Sequence, residues 1–282
     1  MSRAHKALFA GTSVFYLIVI VAVLTTSRLV AFDWYAMMFK PYEHWPALES
    51  FLNVYVIAGQ RGPSAIVVAV WLGWRCWRTR SMRPLLVLGV ALVLLNMSVG
   101  AVKIGLGRLG PHYAHVAGSS EIFLGGGIFP SGHTANAVVT WGVLAYLASR
   151  WRRSGAVVAG FMGFSVGLTT VYLGTHWVSD VLAGWAAGIL VMLALPLFEP
   201  VIASADERIQ RVWADRGEHW ARLLRRPVPA PAEPAPEPAA TAPAPALATR
   251  VVGQRSAPSG QPSAVTLVTD EGRRGISPAG KK

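Results

Sequence analysis

Pro130-Ser131-Gly132-His133 stands at a junction: three glycines, Gly125, Gly126 and Gly127, come before it and a long apolar run opens near Thr134. Read as a helix, that run presents its first turn, with unpaired backbone N–H groups and a partial positive charge, right at the tetrapeptide. Gly132 permits close approach to the backbone and Ser131 adds a hydroxyl, so the stretch reads as an anion site with a histidine in it. The same four residues also suit a plain N-cap after a turn-forming proline. The rest of the chain decides between these two readings.

The apolar run after Thr134 is one of several, and they set the fold class. More than half of the 282 residues are hydrophobic and only 14% are charged, which excludes an ordinary soluble domain. The runs span roughly 7–26, 63–76, 84–102, 133–149, 154–173 and 177–198, which implies an all-α polytopic membrane bundle of about six transmembrane helices. Arg3 and Lys6 precede the first run, but no small-residue cleavage site follows it, so it reads as a retained span. The segment 27–62, with Trp34, Tyr35, Tyr42 and Trp45 among scattered charges, reads as lying at the membrane interface.

The net charge of +12 is distributed in a way that suits lipid head groups and not nucleic acid: 12 of the 26 Lys and Arg follow Pro200, and most of the others flank apolar runs. A single cysteine, Cys76, excludes a disulfide framework and a cysteine-based metal cluster. Placing Arg3, Lys6 and the arginines at 75–83 and 150–153 in the cytoplasm leaves Arg28, Lys40, Arg61, Lys103 and Arg108 outside. That bias implies cytoplasmic termini. Lys103, Arg108, His133 and His176 then share the outward face.

Three segments follow from this division: a membrane domain over 1–198, a basic amphipathic segment over 199–226, and a Pro/Ala-rich tail over 227–282 whose composition implies disorder. Gly217 weakens the helical reading of the middle segment.

His176 and Asp180 are four residues apart, on one face of a helix start. A carboxylate there fixes the imidazole tautomer and leaves the other ring nitrogen free to attack, which makes His176 a candidate nucleophile. His133 suits the general acid and base. Lys103, Arg108, Ser131 and Gly132 are candidate phosphate-binding residues, the cations by charge and the others through the helix start. His112, His115 and Glu121 add possible metal ligands, but no spacing matches a ligand signature and the cations would repel a divalent ion, so no metal is expected.

These residues resemble the type 2 phosphatidic acid phosphatase superfamily, whose signature is K-x6-R-P, then P-S-G-H, then S-R-x5-H-x3-D. Lys103 and Pro111 match the ends of the first part, Pro130-Ser131-Gly132-His133 the whole of the second, and His176 with Asp180 the end of the third. The similarity covers roughly 96–185, about a third of the chain. It implies a phosphohistidine at His176 oriented by Asp180, acid–base work by His133, phosphate contacts from Lys103, Ser131 and Gly132, and no cofactor.

Two positions depart from the signature: Gly110 and Thr170 stand where the family has arginines, and Thr169 where it has the preceding serine. Two lost charge-assisted hydrogen bonds amount to about 3–6 kcal/mol, or ~10²- to 10⁴-fold in rate, unless another group replaces them. The resemblance therefore implies a membrane lipid phosphatase acting on a phosphatidate, phosphatidylglycerol phosphate or polyprenyl phosphate type of substrate. The alternatives are a lipid-binding protein of the same fold without activity, or a phosphoryl-group transferase. The expected partners are the lipid substrate and the surrounding membrane lipids, with no nucleic acid; the oligomeric state is left open.

Overall fold

The computed structural model describes residues 2–148 and 151–224; the segment 227–282 lies outside the described residues. Among them, all regular structure is helical. The order is α1 (Arg3–Leu24), α2 (Arg28–Phe39), α3 (Pro41–His44), α4 (Glu49–Tyr55), α5 (Arg61–Thr79), α6 (Arg83–Leu106), α7 (Gly132–Leu147), α8 (Arg152–Tyr172), α9 (Val178–Ala194) and α10 (Glu199–Leu224).

Four helical stretches, those carrying α1, α6, α8 and α9, are long and apolar enough to cross a membrane alone. A fifth qualifies if Pro46–Gly59 and α5, bent by 58° between them, count as one span. By length and composition alone, the described residues thus give four or five candidate spans beside the expected count of about six. The difference lies in α7, which has 16 residues, short of the ~20 that a bilayer requires. It is the axis of the bundle. Ala135, Val139 and Val143 of α7 are fully buried in one core with Leu72 of α5, Val87, Leu95 and Val99 of α6, and Ala187 and Val191 of α9.

Small residues let the helices meet closely, as is usual where lipid gives no hydrophobic drive between them. A side chain on Gly188 would come within 2.7 Å of Val138 Cβ, and one on Gly184 within 2.8 Å of the Ser131 carbonyl oxygen. The second contact sets the start of α9 against the start of α7.

At the opposite end of the bundle, Asp206 of α10 accepts from the Met82 N–H (2.7 Å) and the Ser81 hydroxyl (2.8 Å) at the start of α6. Glu199 pairs with Arg83 at 2.7 Å and accepts from the Tyr146 hydroxyl at 2.6 Å. Helix α10 runs unbroken through Gly217.

The segment after α1 is more than an interfacial strip. Val30, Asp33 and Trp34 of α2 are buried, with the Trp34 ring 5.0 Å from that of Trp177 and its Nε1 donating to the Ser119 carbonyl at 2.8 Å. Helix α2 therefore closes over the end of the bundle where α6 finishes and where α7 and α9 begin.

Candidate active site

The long connection between α6 and α7 is folded back on itself. Leu109 donates to the Glu121 carbonyl (2.9 Å), Gly126 to the Gly107 carbonyl (2.9 Å) and Ile128 to the Arg108 carbonyl (3.2 Å). Two glycines make this possible: Gly107 has φ +49°, and a side chain on Gly126 would lie 2.1 Å from the Arg108 carbonyl oxygen. Burial disfavours ionisation of Glu121, yet the Ser119 hydroxyl and the N–H groups of Val116 and His115 outweigh it and hold the carboxyl below its usual range. The loop thus has a charged pin at its far turn.

Ser131 caps α7. Its hydroxyl accepts from the Thr134 hydroxyl (2.9 Å) and N–H (3.4 Å), and its own N–H donates to the Asp180 carbonyl (2.9 Å). Since Ser131 is fully buried, the side chain expected at the anion supports the helix start from beneath. Ala135 N–H returns to the Ser131 carbonyl (3.1 Å), so the first-turn N–H groups left over are those of Gly132 and His133.

On the facing element, the turn after α8 is drawn tight by the Thr170 carbonyl, which accepts from the N–H groups of Thr175 (3.0 Å) and His176 (3.2 Å). Gly174, at φ +67°, turns the chain there. His176 emerges directly before α9, and its Nδ1 lies 3.3 Å from Asp180 Oδ2. The same carboxylate accepts from the Trp177 N–H at 3.1 Å, joining a helix cap to the orientation of the imidazole. With Nδ1 committed to a carboxylate, Nε2 carries the lone pair.

The rings of His133 and His176 stand edge to face with centroids 5.9 Å apart. They share a cavity of about 280 Å³ with Lys103, Gly132, Gly59 and Arg61. Lys103 donates to the carbonyls of Gly127 and Ile128, which leaves one of its three N–H donors for the cavity.

Arg108 is corrected from an expected phosphate contact to a group behind the histidine. It is buried, with Nε donating to the Ser120 carbonyl (2.9 Å), Nη1 to Ser179 Oγ and Asp180 Oδ1 (2.7 Å each), and Nη2 to Asp33 Oδ2 (2.8 Å). The rings of Phe129 and Trp177 lie 5.9 and 5.3 Å from its guanidinium carbon. Packed on all sides, it neither lines the cavity nor has a free approach to it. Asp33 completes the arrangement by accepting the Ser179 N–H at 2.8 Å; burial raises its pKa, against the opposing pull of Arg108.

Among the described residues, no three His, Cys, Asp or Glu side chains cluster as metal ligands would. His112 packs against Gly174, and the His115 N–H goes to Glu121.

Residues 84–201 match the PAP2 superfamily. Over 90 residues it is 36% identical to phosphatidylglycerophosphatase B of Bacillus subtilis (strain 168), a match covering 29% of this chain and 41% of that protein. The crystal structure of the first transmembrane PAP2 type phosphatidylglycerolphosphate phosphatase from Bacillus subtilis superposes with a TM-score of 0.56 at 23% identity, over 69% of this chain and 96% of the other. That likeness shows the fold, and with the apolar helices it makes the chain an integral membrane protein.

Within the matched residues, neither departure from the signature is repaired in place. Gly110 starts a 3₁₀ turn at Pro111–Tyr113, where a side chain would meet Ile128 Cγ1 at 3.1 Å. Thr170 is buried, its hydroxyl turned to the Gly167 carbonyl (2.8 Å). Two side chains that the sequence did not nominate, Asp33 behind the histidine and Arg61 in the cavity wall, come from before the matched residues. Neither lies at a motif spacing; Arg61 was legible only as a cation on the same face as Lys103.

Proposed function

We propose that the chain is a membrane lipid phosphatase that cleaves a lipid phosphomonoester or pyrophosphate through a phosphohistidine at His176. The observation that carries this reading is the edge-to-face pair of imidazoles, 5.9 Å between centroids, over a cavity edged by an ammonium and a helix start. A single phosphoryl group fits between such rings at the near-attack distance of ~3–3.5 Å.

His176 Nε2 attacks phosphorus, the bond to the lipid oxygen breaks, and His133 delivers a proton to that leaving oxygen. Asp180 holds the tautomer and offsets the positive charge that the ring acquires. In the second step His133 takes a proton from water, whose oxygen displaces His176 from phosphorus and releases inorganic phosphate. The equatorial oxygens are held by Lys103 and by the N–H groups of Gly132 and His133. Ser131, as the cap of α7, and Arg108, as the partner of Asp180, shape the site without touching the phosphoryl group.

The likeness to phosphatidylglycerophosphatase B supports a lipid substrate, with phosphatidylglycerol phosphate the first to test. The basic flanks of the apolar runs support an outward-facing site in a bacterial plasma membrane with both termini cytoplasmic.

The test is phosphate release by protein purified in detergent, offered phosphatidylglycerol phosphate, phosphatidate and a polyprenyl phosphate. Wild-type protein is expected to form an acid-labile phosphoenzyme and release phosphate, and His176→Ala to do neither. Equal turnover by the variant refutes the mechanism.

A further inference from the structure

The cavity holds a second cation that belongs to no motif. Arg61 opens α5 at the bend after Gly59, is exposed, and has no carboxylate within ion-pair distance among the described residues. Its Nη2 and Lys103 Nζ each lie 3.9 Å from the point at which a side chain on Gly132 would begin. Two positive groups thus converge on one spot above the leftover N–H groups of α7. Like charges so placed repel one another until an anion sits between them.

The bend itself is fixed to the catalytic helix. Asn136, one turn on from His133 in α7 and fully buried, donates Nδ2 to the Gly59 carbonyl (3.2 Å) and to Ser64 Oγ (2.9 Å). Trp141 Nε1 reaches the Ala58 carbonyl at 3.4 Å. Gly59 leaves no room for a side chain, which would lie 2.4 Å from Val166 Cγ1 and 3.0 Å from the His133 carbonyl oxygen. The backbone from which Arg61 extends is therefore registered on the helix that carries His133, unlike that of a loose surface arginine.

We propose that Arg61 is the guanidinium that grips the phosphoryl oxygens in this chain, supplying from α5 what Gly110 and Thr170 cannot, with Asn136 as a positioning residue for it. This rests on the phosphatase reading above. A guanidinium suits the task because its planar fork presents paired N–H donors to an oxyanion, which an ammonium does not.

The test compares wild type, Arg61→Ala, Arg61→Lys, Asn136→Ala and the exposed control Arg28→Ala in detergent. The probes are a short-chain phosphatidate as substrate and orthovanadate, a tetrahedral oxyanion, as a calorimetric ligand. R61A is expected to lose about 10- to 150-fold in kcat/KM and a similar factor in vanadate affinity, the worth of one charge-assisted hydrogen bond. R61K recovers part of both, R28A matches wild type, and N136A weakens vanadate binding in the same direction by less. Because Arg61 is exposed, its variants are expected to keep the wild-type melting temperature.

Wild-type kcat/KM and vanadate affinity in R61A overturn the proposal. So does a defect seen only in anionic vesicles and absent with the short-chain substrate, which would assign Arg61 to the bulk membrane surface. A wild-type protein that releases no phosphate refutes the phosphatase reading alone, since vanadate binding by wild type and R61A still reports on Arg61.

Discussion

Residues 103–180 and residues 28–64 furnish the same cavity by different means. The first region contributes Lys103, Gly132, His133, His176 and Asp180, each fixed at the end of a helix and spaced so that a helical turn aligns it. The second contributes Asp33 behind the site and Arg61 at its mouth, and neither sits in a recognisable pattern. Groups that react must hold a geometry set by a few residues of chain, so their spacing is constrained. Groups that support only have to arrive, and any helix passing near can deliver them. The comparison is sharpest at the two arginines. Arg108, inside the matched region, is buried and fully engaged with protein acceptors. Arg61, outside it, is exposed and faces the cavity.

The largest effects should come from the first region. In the proposed mechanism His176→Ala removes the nucleophile, and phosphate release is expected to fall by at least about 10⁴-fold. His133→Ala separates the steps: attack on a substrate with a good leaving group continues while hydrolysis slows, so labelled phosphoenzyme accumulates over that of wild type. Quantifying the trapped species after an alkaline denaturing quench, which preserves a phosphohistidine, checks both, and a His133 variant with no trapped species would assign the acid–base role elsewhere.

In the second region, Asp33→Ala leaves Arg108 buried with one carboxylate in place of two. Removing one partner of a buried ion pair costs about 3–5 kcal/mol, so a large fall in thermal midpoint in detergent is expected, with activity lost alongside. Asp33→Asn, which keeps a hydrogen-bond acceptor for Arg108, should recover part of the stability. If D33A melted like wild type, α2 would be packed over the site without holding it.

The helical fold, the contact of His176 with Asp180 and the cap at Ser131 were legible because they are periodic or locally spaced: apolar runs of bilayer length, His176 four residues from Asp180, and Ser131 at a helix start. Three things were not. The role of α7 was one, because a short buried helix and a transmembrane helix carry the same apolar signal. Arg108 was assigned to the anion because charge and sequence position do not reveal that Asp33, 75 residues earlier, would meet it at 2.8 Å. Arg61 was assigned only to the outer side, since its placement depends on a bend held by Asn136 and by the lack of a side chain at Gly59.

A smaller effect tests how the loop between the regions holds Arg108. Gly126→Ala places a methyl group 2.1 Å from the Arg108 carbonyl oxygen, and relief requires the backbone around 107–109 to shift. Overpacking of this kind costs about 1–3 kcal/mol. Since that backbone carries the partner of Asp180, kcat is expected to fall while KM changes little. A variant with unchanged kcat and a lowered thermal midpoint would separate loop stability from histidine alignment.

The smallest effect concerns the far turn of the same loop. Glu121 is buried, yet the Ser119 hydroxyl (2.6 Å) and the N–H groups of Val116 (2.8 Å) and His115 (3.1 Å) favour its ionised form and lower its pKa. A carboxyl whose folded pKa lies below its unfolded value stabilises fully above the unfolded value, near 4.5, and loses that contribution as pH falls through the folded one. Amide hydrogen exchange at Val116 and His115 should therefore keep its protection factor from neutral pH down to about that value and lose it below. Glu121→Gln, which cannot ionise, should show a lower and pH-independent protection factor at both amides, with the loss near the ~1 kcal/mol of an ordinary hydrogen bond. Protection in wild type that instead rose on acidification would mean that the carboxyl, and not the carboxylate, pins the loop, and that burial prevails over its three donors.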